Sequence, residues 1–325
     1  MATAATKRRQ NERAEFAQGV PKVPRDPAAR MIDKLEMFIA LAREQHFGRA
    51  AEACGVTQPT LSAAIKQLED QLGVMLVWRG SRYGGLTPEG ARVLDWARRI
   101  VGDTRAMRDE MRAAKRGLSG NLRLAVIPTA LAMVGALTRP LAARHPNLRF
   151  SVLSRNATEI LQMIDDLQID AGITYLEGGA AAGRMTAIPL YAEHYNLVIR
   201  ADHPAAARAQ ITWAEAAELP LCLLSPDMQN RRIVDSHMAE ANAAPAPRLE
   251  SNSVLTLVGH VLGGDWATIL PMKTAALFLA PDHLAAIPIT EPAAEHPVGL
   301  IAPFREPHTP VLAALIEAAR RLEER

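Results

Sequence analysis

Apolar residues follow two different rhythms along this chain. Leu61, Ile65, Leu68 and Leu72 recur at helical spacing and predict one buried stripe. On another face of the same helix Gln58, Ser62 and Lys66 lie four residues apart, with Pro59 and Ala63 beside them. Thr57 is placed to cap the helix, and Pro59 falls in its first turn, where a missing N–H costs nothing. A tight Gly55-Val56 turn joins it to a preceding helical period. Val74 to Thr87 then carries Arg79, Arg82, Tyr83, Gly84 and Gly85 between apolar ends, which suits a two-stranded basic ribbon. Helix, turn, helix and ribbon in this order predict an all-α winged helix-turn-helix domain over residues 31–88.

Residues 89–116 hold no proline, and Val93, Ala97, Ile100, Thr104, Met107 and Met111 alternate at spacings of four and three. That is a heptad seam, the pattern that lets two helices run side by side. The expectation is a linker helix about 40 Å long that serves as a dimerisation surface. A single amphipathic helix lying on its own domain is the plainer alternative. Gly117-Leu118-Ser119-Gly120 ends the helix.

Beyond Gly120 the rhythm shortens. Leu122–Ile127, Arg149–Leu153, Asp170–Tyr175 and Leu197–Ile199 read as strands, with helices over Leu131–Arg144 and Ala157–Leu167 between them. Further strands are expected at Leu221–Leu224, Arg248–Glu250, Trp266–Leu270 and Val298–Ala302. Further helices are expected at Met228–Ala241, Val254–Leu262 and Thr309–Glu323. The alternation implies an α/β domain over residues 117–325 with a largely parallel sheet. Its length suits two Rossmann-like halves. Crossings near His194 and Thr290 give one subdomain of about 121–193 plus 294–325 and a second of about 194–293.

In open α/β sheets a ligand sits beyond the carboxyl ends of the strands, where helix N-termini converge. Pro128 and Thr129, Asn156 and Thr158, Ser225 and Gln229, and Asn252 and Ser253 occupy four such loops, two from each half. Hydroxyls, amides and free N–H groups together suit a small anion, a carboxylate first of all. Taken singly, each of these residues is equally a helix cap. His260 and Arg231 or Arg232 would add positive charge there, although the arginines read more simply as a solvated helix face.

Charge separates the two parts. The formal total of +2 divides into +7 over residues 1–116 and −5 over residues 117–325, so the basic part is the one with the winged motif. In a major groove, Gln58 could pair bidentately with an adenine edge and Pro59 and Ala63 could meet a thymine methyl. Ser62 or Lys66 could hold phosphates. Residues 1–30, with Lys7-Arg8-Arg9 and Pro21, Pro24 and Pro27, show no apolar face and read as a disordered basic tail, with Met31 as an alternative start. No secretory segment or membrane-length apolar run is visible, which suggests a cytoplasmic protein. Of the two cysteines, Cys54 reads as core filling and Cys222 as part of a strand, so no redox pair is expected. The nine histidines fall in no metal or nucleophile motif, and neither catalytic residues, metal nor cofactor is expected.

With these residues in view, the chain resembles the LysR-type transcriptional regulators. Phe47, Arg49, Ala50, Ala51, Gln58, Pro59, Leu61, Ser62, Ile65, Leu68, Glu69, Leu72, Gly73, Leu76, Arg79, Leu86, Thr87, Pro88 and Gly90 carry the resemblance, which extends over roughly residues 31–325. It implies groove-facing roles for Gln58, Pro59 and Ser62, and phosphate contacts for Arg49 and the wing arginines Arg79 and Arg82. It also implies an effector domain shaped like a periplasmic solute-binding protein. Gly48 departs from the Ser or Thr that commonly begins the first motif helix, which weakens that cap. The expected partners are a double-stranded DNA operator, a small anionic effector and further copies of the chain, as dimers assembling into tetramers, with RNA polymerase as a further candidate. The rival reading is a cleft-containing enzyme or solute-binding module with a non-specific DNA-binding appendage.

Overall fold

The computed structural model describes residues 27–78, 83–177, 185–279, 283–293, 295–304 and 307–323. The wing arginines Arg79 and Arg82 and the tail up to residue 26 lie outside the described residues. The chain divides into two compact units, Met1–Val101 and Gly102–Arg325. No helix among the described residues is long and apolar enough to cross a membrane.

The first unit is built from α1 (Pro27–Glu44), α2 (Phe47–Ala53), α3 (Gln58–Leu72) and the start of α4 (Pro88–Arg116). Helix begins at Pro27, inside the stretch expected to lack structure. A proline in the first turn and the alanines after it account for that earlier start. Phe38, Leu41, Ala50, Leu61, Ile65, Leu68, Leu76, Leu94, Ala97 and Val101 form the core. Leu72, expected in the buried stripe, is 38% exposed, because α3 ends there and Gly73 turns the chain in a left-handed conformation. Buried Glu69 sets the path of the chain beyond that turn. Its carboxylate accepts from Leu76 N at 2.8 Å and Val77 N at 3.4 Å, which fixes the entry into the ribbon. The ribbon pairs Val77 with Leu86, and Trp78 N donates to Gly85 O at 3.0 Å. Thr87 closes the motif by donating to Met75 O and accepting from Gly90 N at 2.9 Å. Gly90 is required there, since a Cβ would lie 2.0 Å from Leu76 O.

In the second unit, β1 (Gly120–Val126) leads through a 3-10 turn (Pro128–Met133) into α5 (Val134–Arg144). Then follow β2 (Leu148–Ser154), α6 (Ala157–Asp165), β3 (Ala171–Tyr175), β4 (Met185–Glu193), β5 (Tyr195–Arg200), β6 (Ile211–Thr212), α7 (Trp213–Ala217), β7 (Cys222–Leu224) and α8 (Gln229–Glu240). The chain closes with β8 (Leu249–Ser251), α9 (Val254–Gly263), β9 (Thr268–Pro271), α10 (Met272–Ala275), β10 (Leu284–Thr290), β11 (His296–Pro303) and α11 (Pro310–Glu323). One sheet has the order β2-β1-β3-β11-β4 and another β6-β10-β5-β9, with β7 and β8 paired beside it. The chain passes between the sheets once at His194 and returns through 291–295.

The sheets are mixed, not largely parallel. β1 runs parallel to β2 and β3, but β11 is antiparallel to both its neighbours, as β5 is to β9 and β10. The returning strands cause the difference. Neither β4 nor β10 is expected from the sequence pattern, because each carries a proline, Pro189 or Pro288. Pro189 is accommodated beside the irregularity at Val298/Gly299, and Pro288 falls at the last pair between β10 and β5.

Candidate DNA interface and effector cleft

In the first unit α3 presents Gln58, Pro59, Ala63 and Lys66 as exposed side chains, with Ser62 half-buried between them. Thr57 is less available than the sequence suggests. Its hydroxyl accepts from Thr60 N at 3.4 Å and lies 2.9 Å from Thr60 Oγ1. Thr60 is exposed on the same end of α3, although the sequence pattern drew attention only to Gln58, Pro59, Ser62, Ala63 and Lys66 there. Arg49 is exposed, yet its guanidinium donates to Glu44 O at 2.6 Å, so reaching a phosphate requires leaving that carbonyl. The first motif helix is not poorly capped, because His46 replaces the missing hydroxyl. Its Nδ1 accepts from Gly48 N at 3.0 Å and Arg49 N at 3.3 Å. Tyr83, at the end of the ribbon, meets Phe47 edge-on at 6.5 Å and ties the ribbon to α2.

The apolar side chains that α4 exposes differ from the expected seam. Ala97 is fully buried with Leu94 and Val101 in the core of its own unit, so it cannot face a partner helix. The exposed apolar side chains are Trp96, Ile100, Met107 and Met111. Val93 and Thr104 are half-buried. Trp96 was missed because it breaks the four-and-three count by one residue. Arg99 lies over its ring at 5.4 Å.

The second unit contains a cleft of about 560 Å³ between the 3-10 turn and the start of α6 on one side and the start of α9 and the end of α10 on the other. Pro128, Asn156, Asn252 and Ser253 line it, as expected. Thr129 and Gln229 instead line a small cavity of about 10 Å³, together with Tyr175 and Asn230. Thr158 and Ser225 line neither. Thr158 points from α6 to solvent, and Ser225 lies in the turn, where its N–H donates to Ser251 O at 3.0 Å. His260 is engaged elsewhere, with Nδ1 2.8 Å from Thr256 O and its ring against Trp266. Arg231 is not a solvated residue. It is buried and bridges Asp235 at 2.7 Å and Glu250 at 2.5 Å.

Two of the expected site residues also cap helices. Asn156 accepts from Glu159 N at 2.9 Å while Glu159 accepts from Asn156 N at 3.0 Å, a reciprocal box, and Ser253 accepts from Thr256 N at 3.4 Å. The residues that sequence reasoning missed give the cleft its character. Arg155 brings a cation, Glu159 and Asp227 bring carboxylates, and Leu131, Leu255 and Phe278 supply apolar walls. The neighbouring Ser225 and, more weakly, Asn156 side chains hold the Asp227 carboxyl below its ordinary range. Thr274 donates to Thr129 O, and Lys273 lies 4.5 Å from the centre of the Tyr191 ring, so α10 is tied to the opposite side.

Behind the small cavity lies a buried polar knot. Tyr175 donates to Glu193 Oε2 at 2.5 Å and lies 3.2 Å from the Tyr195 hydroxyl, while Asn230 Nδ2 donates to Tyr195 at 3.4 Å. Burial pushes the Glu193 carboxyl up to about 7, against the opposing pull of hydroxyls from Tyr175, Thr129 and Tyr191. Cys222 is likewise buried. Its thiol donates toward Ala267 O at 3.4 Å and Leu257 O at 3.6 Å, and desolvation raises it to about 11.

Comparison with known proteins follows the same division. Residues 32–91 match the model described as bacterial regulatory helix-turn-helix protein, lysR family, and residues 115–323 match the LysR substrate binding domain. The DNA-binding transcriptional dual regulator OxyR of Escherichia coli K12 is 30% identical over 275 residues, covering 83% of this chain and 88% of the relative. A probable hydrogen peroxide-inducible genes activator of Mycobacterium avium is 30% identical over 270 residues, covering 82% and 86%. Among solved structures, a full-length OxyR variant from Pseudomonas aeruginosa superposes with a TM-score of 0.69 at 27% identity, covering 89% of this chain and 94% of that one. CbnR in complex with its target DNA shares the fold, with a TM-score of 0.58 at 23% identity over 90% and 99% of the two chains.

Proposed function

This chain belongs to the LysR family of transcriptional regulators, and from that premise we propose that it is an operator-binding regulator switched by a small polar molecule in the cleft of its second unit. The observation that carries the reading is the pairing of an exposed, polar α3 face with a 560 Å³ cleft lined from both sheets. Gln58, Pro59 and Ser62, with Thr60 beside them, read base edges, while Lys66 and Arg49 engage phosphates. Trp96, Ile100, Met107 and Met111 form the face on which two copies pair, as a two-fold operator requires. The effector carries an anionic group for Arg155 and the helix N-termini, and a hydrogen-bond donor for Asp227. Its binding shifts the protein only by its difference in affinity between the two arrangements of the sheets.

A peroxide response, suggested by the names of several relatives, would have to run through other residues than a cysteine pair. Burial raises the thiols of both Cys54 and Cys222, and the latter, pushed up to about 11, carries little thiolate at neutral pH. The test is binding of the full chain to the DNA upstream of its own gene, titrated in salt with random competitor present. Specific retention with a log–log salt slope of roughly −0.9 per phosphate contacted is the expected result. Retention equal to that on competitor DNA would remove the operator from the reading.

A further inference from the structure

A second polar assembly links the two sheets at the return crossing. His237 on α8 and His296 at the start of β11 face each other with their Nε2 atoms 2.9 Å apart. α8 packs with the body of the second sheet, whereas β11 is a strand of the first. Each ring turns its other nitrogen to a carboxylate. His296 Nδ1 lies 2.8 Å from Glu177 Oε2, and His237 Nδ1 lies 3.3 Å from Glu240 Oε2. The imidazoles are largely shielded, at 14% and 13% exposure, while both carboxylates reach solvent. His237 is stacked on Trp213 of α7 at 5.1 Å, and Trp213 Nε1 donates to Pro292 O in the crossing itself. Tyr195 of β5 and Tyr175 of β3 meet His296 edge-on at 5.9 and 6.5 Å. Tyr175 in turn holds Glu193 of β4, so the ionisable groups in these contacts with the pair are acids and phenols.

The number of hydrogens on the two rings decides whether these contacts attract. A carboxylate only accepts, so each Nδ1 contact needs a hydrogen on Nδ1. The contact between the Nε2 atoms needs one hydrogen, neither none nor two. All three contacts are satisfied only when the rings share three hydrogens, one imidazolium and one neutral imidazole. With two hydrogens, either two bare lone pairs face each other or a carboxylate faces a lone pair. With four, two N–H groups meet head to head.

We propose that His237 and His296 form a proton-gated latch between the two sheets of the effector unit, closed by a single shared proton. The latch does not depend on what the cleft binds or on DNA recognition. Because it spans the return crossing, it favours one arrangement of the sheets when singly protonated and releases that preference on either side. This is a bias on the same equilibrium that an effector shifts.

The experiment uses the full chain with ¹⁵N-labelled histidine, followed by NMR and by thermal unfolding across pH. The expected spectrum shows His237 and His296 gaining one proton together and resisting a second, with a hydrogen shared between their Nε2 atoms. The melting temperature then passes through a maximum in that interval, and the maximum flattens in His237→Gln and in His296→Gln. Glu177→Gln keeps both rings and replaces only a solvent-reaching carboxylate, so it should fold. It should flatten the maximum less than either histidine variant does, because the amide oxygen still accepts from Nδ1 but carries no charge. Wild-type rings that titrate independently of each other would overturn the latch. So would stoichiometric capture of Zn²⁺ that His237→Gln abolishes, since a metal ion would then hold the place assigned to the proton.

Discussion

The helix-turn-helix unit and the effector unit use polar side chains in opposite ways. On α3 most of the candidate DNA-reading side chains are left exposed, and the two backbone N–H groups that buried Glu69 holds lie seven and eight residues along the chain. In the second unit the corresponding acid, Glu193, is held by Tyr175, and the adjoining Tyr195 hydroxyl and Asn230 amide come from two further elements. The bonds from Leu76 and Val77 to Glu69 are local in sequence, whereas the knot around Glu193 joins residues that meet only after the sheets have formed. A local device fails in place when it is damaged, whereas an assembled one communicates its damage across the fold.

Glu69→Ala is the sharpest way to break the first half of that contrast. It leaves the N–H groups of Leu76 and Val77 buried without their acceptor, at a cost of roughly 4 kcal/mol in the winged unit. Chemical denaturation should show that unit unfolding early while the second keeps its own transition; a joint shift of both would dissolve the contrast. Glu193→Gln tests the other half. Its carboxyl titrates near 7 when folded and nearer 4.5 when unfolded, so the folded state binds the proton more tightly. Stability from this group is therefore full below about 4.5 and is lost as pH rises toward 7, by about 3 kcal/mol. Glutamine should abolish that loss, so the variant gains on wild type between pH 5 and 8; parallel pH profiles would argue against a buried acid.

Gln58→Ala should cost about 2 kcal/mol at its own base pair and relax sequence preference there, read from competition among operator variants. Equal weakening on every sequence would make Gln58 a backbone contact. The smallest effect is expected from Cys222→Ala. Its buried thiol should change the response of DNA binding to hydrogen peroxide by less than about twofold. Loss of a peroxide response in that variant would restore the thiol reading.

Legibility follows the same line. Thr57, Gln58, Pro59 and Ser62 could be placed from sequence because a helix repeats its faces every few residues. Ala97 could not, because a heptad seam and a core-facing stripe have nearly the same period; only the packing of Leu94 and Val101 reveals which one Ala97 joins. In the effector unit the helix-start loops at Asn156 and Ser253 carried visible cap chemistry. Arg155 and Asp227 carried no such signal, since a charged residue in a loop reads as solvated until the opposite wall is known. β4 and β10 were hidden by their prolines, and the His237–His296 contact joins residues 59 positions apart.

The cap on α2 has a consequence for how this sequence can change. A Cβ at Gly48 would stand 3.1 Å from Cε1 and 3.2 Å from Nδ1 of His46, the ring that caps the helix. A side chain at 48 and the imidazole at 46 therefore crowd each other, and the ring must give by a few tenths of an ångström to admit the first while it serves the helix N–H groups. The two positions are bound by epistasis. A lineage moving toward a hydroxyl at 48 meets less crowding once 46 has been exchanged, so the cost of one substitution depends on the other.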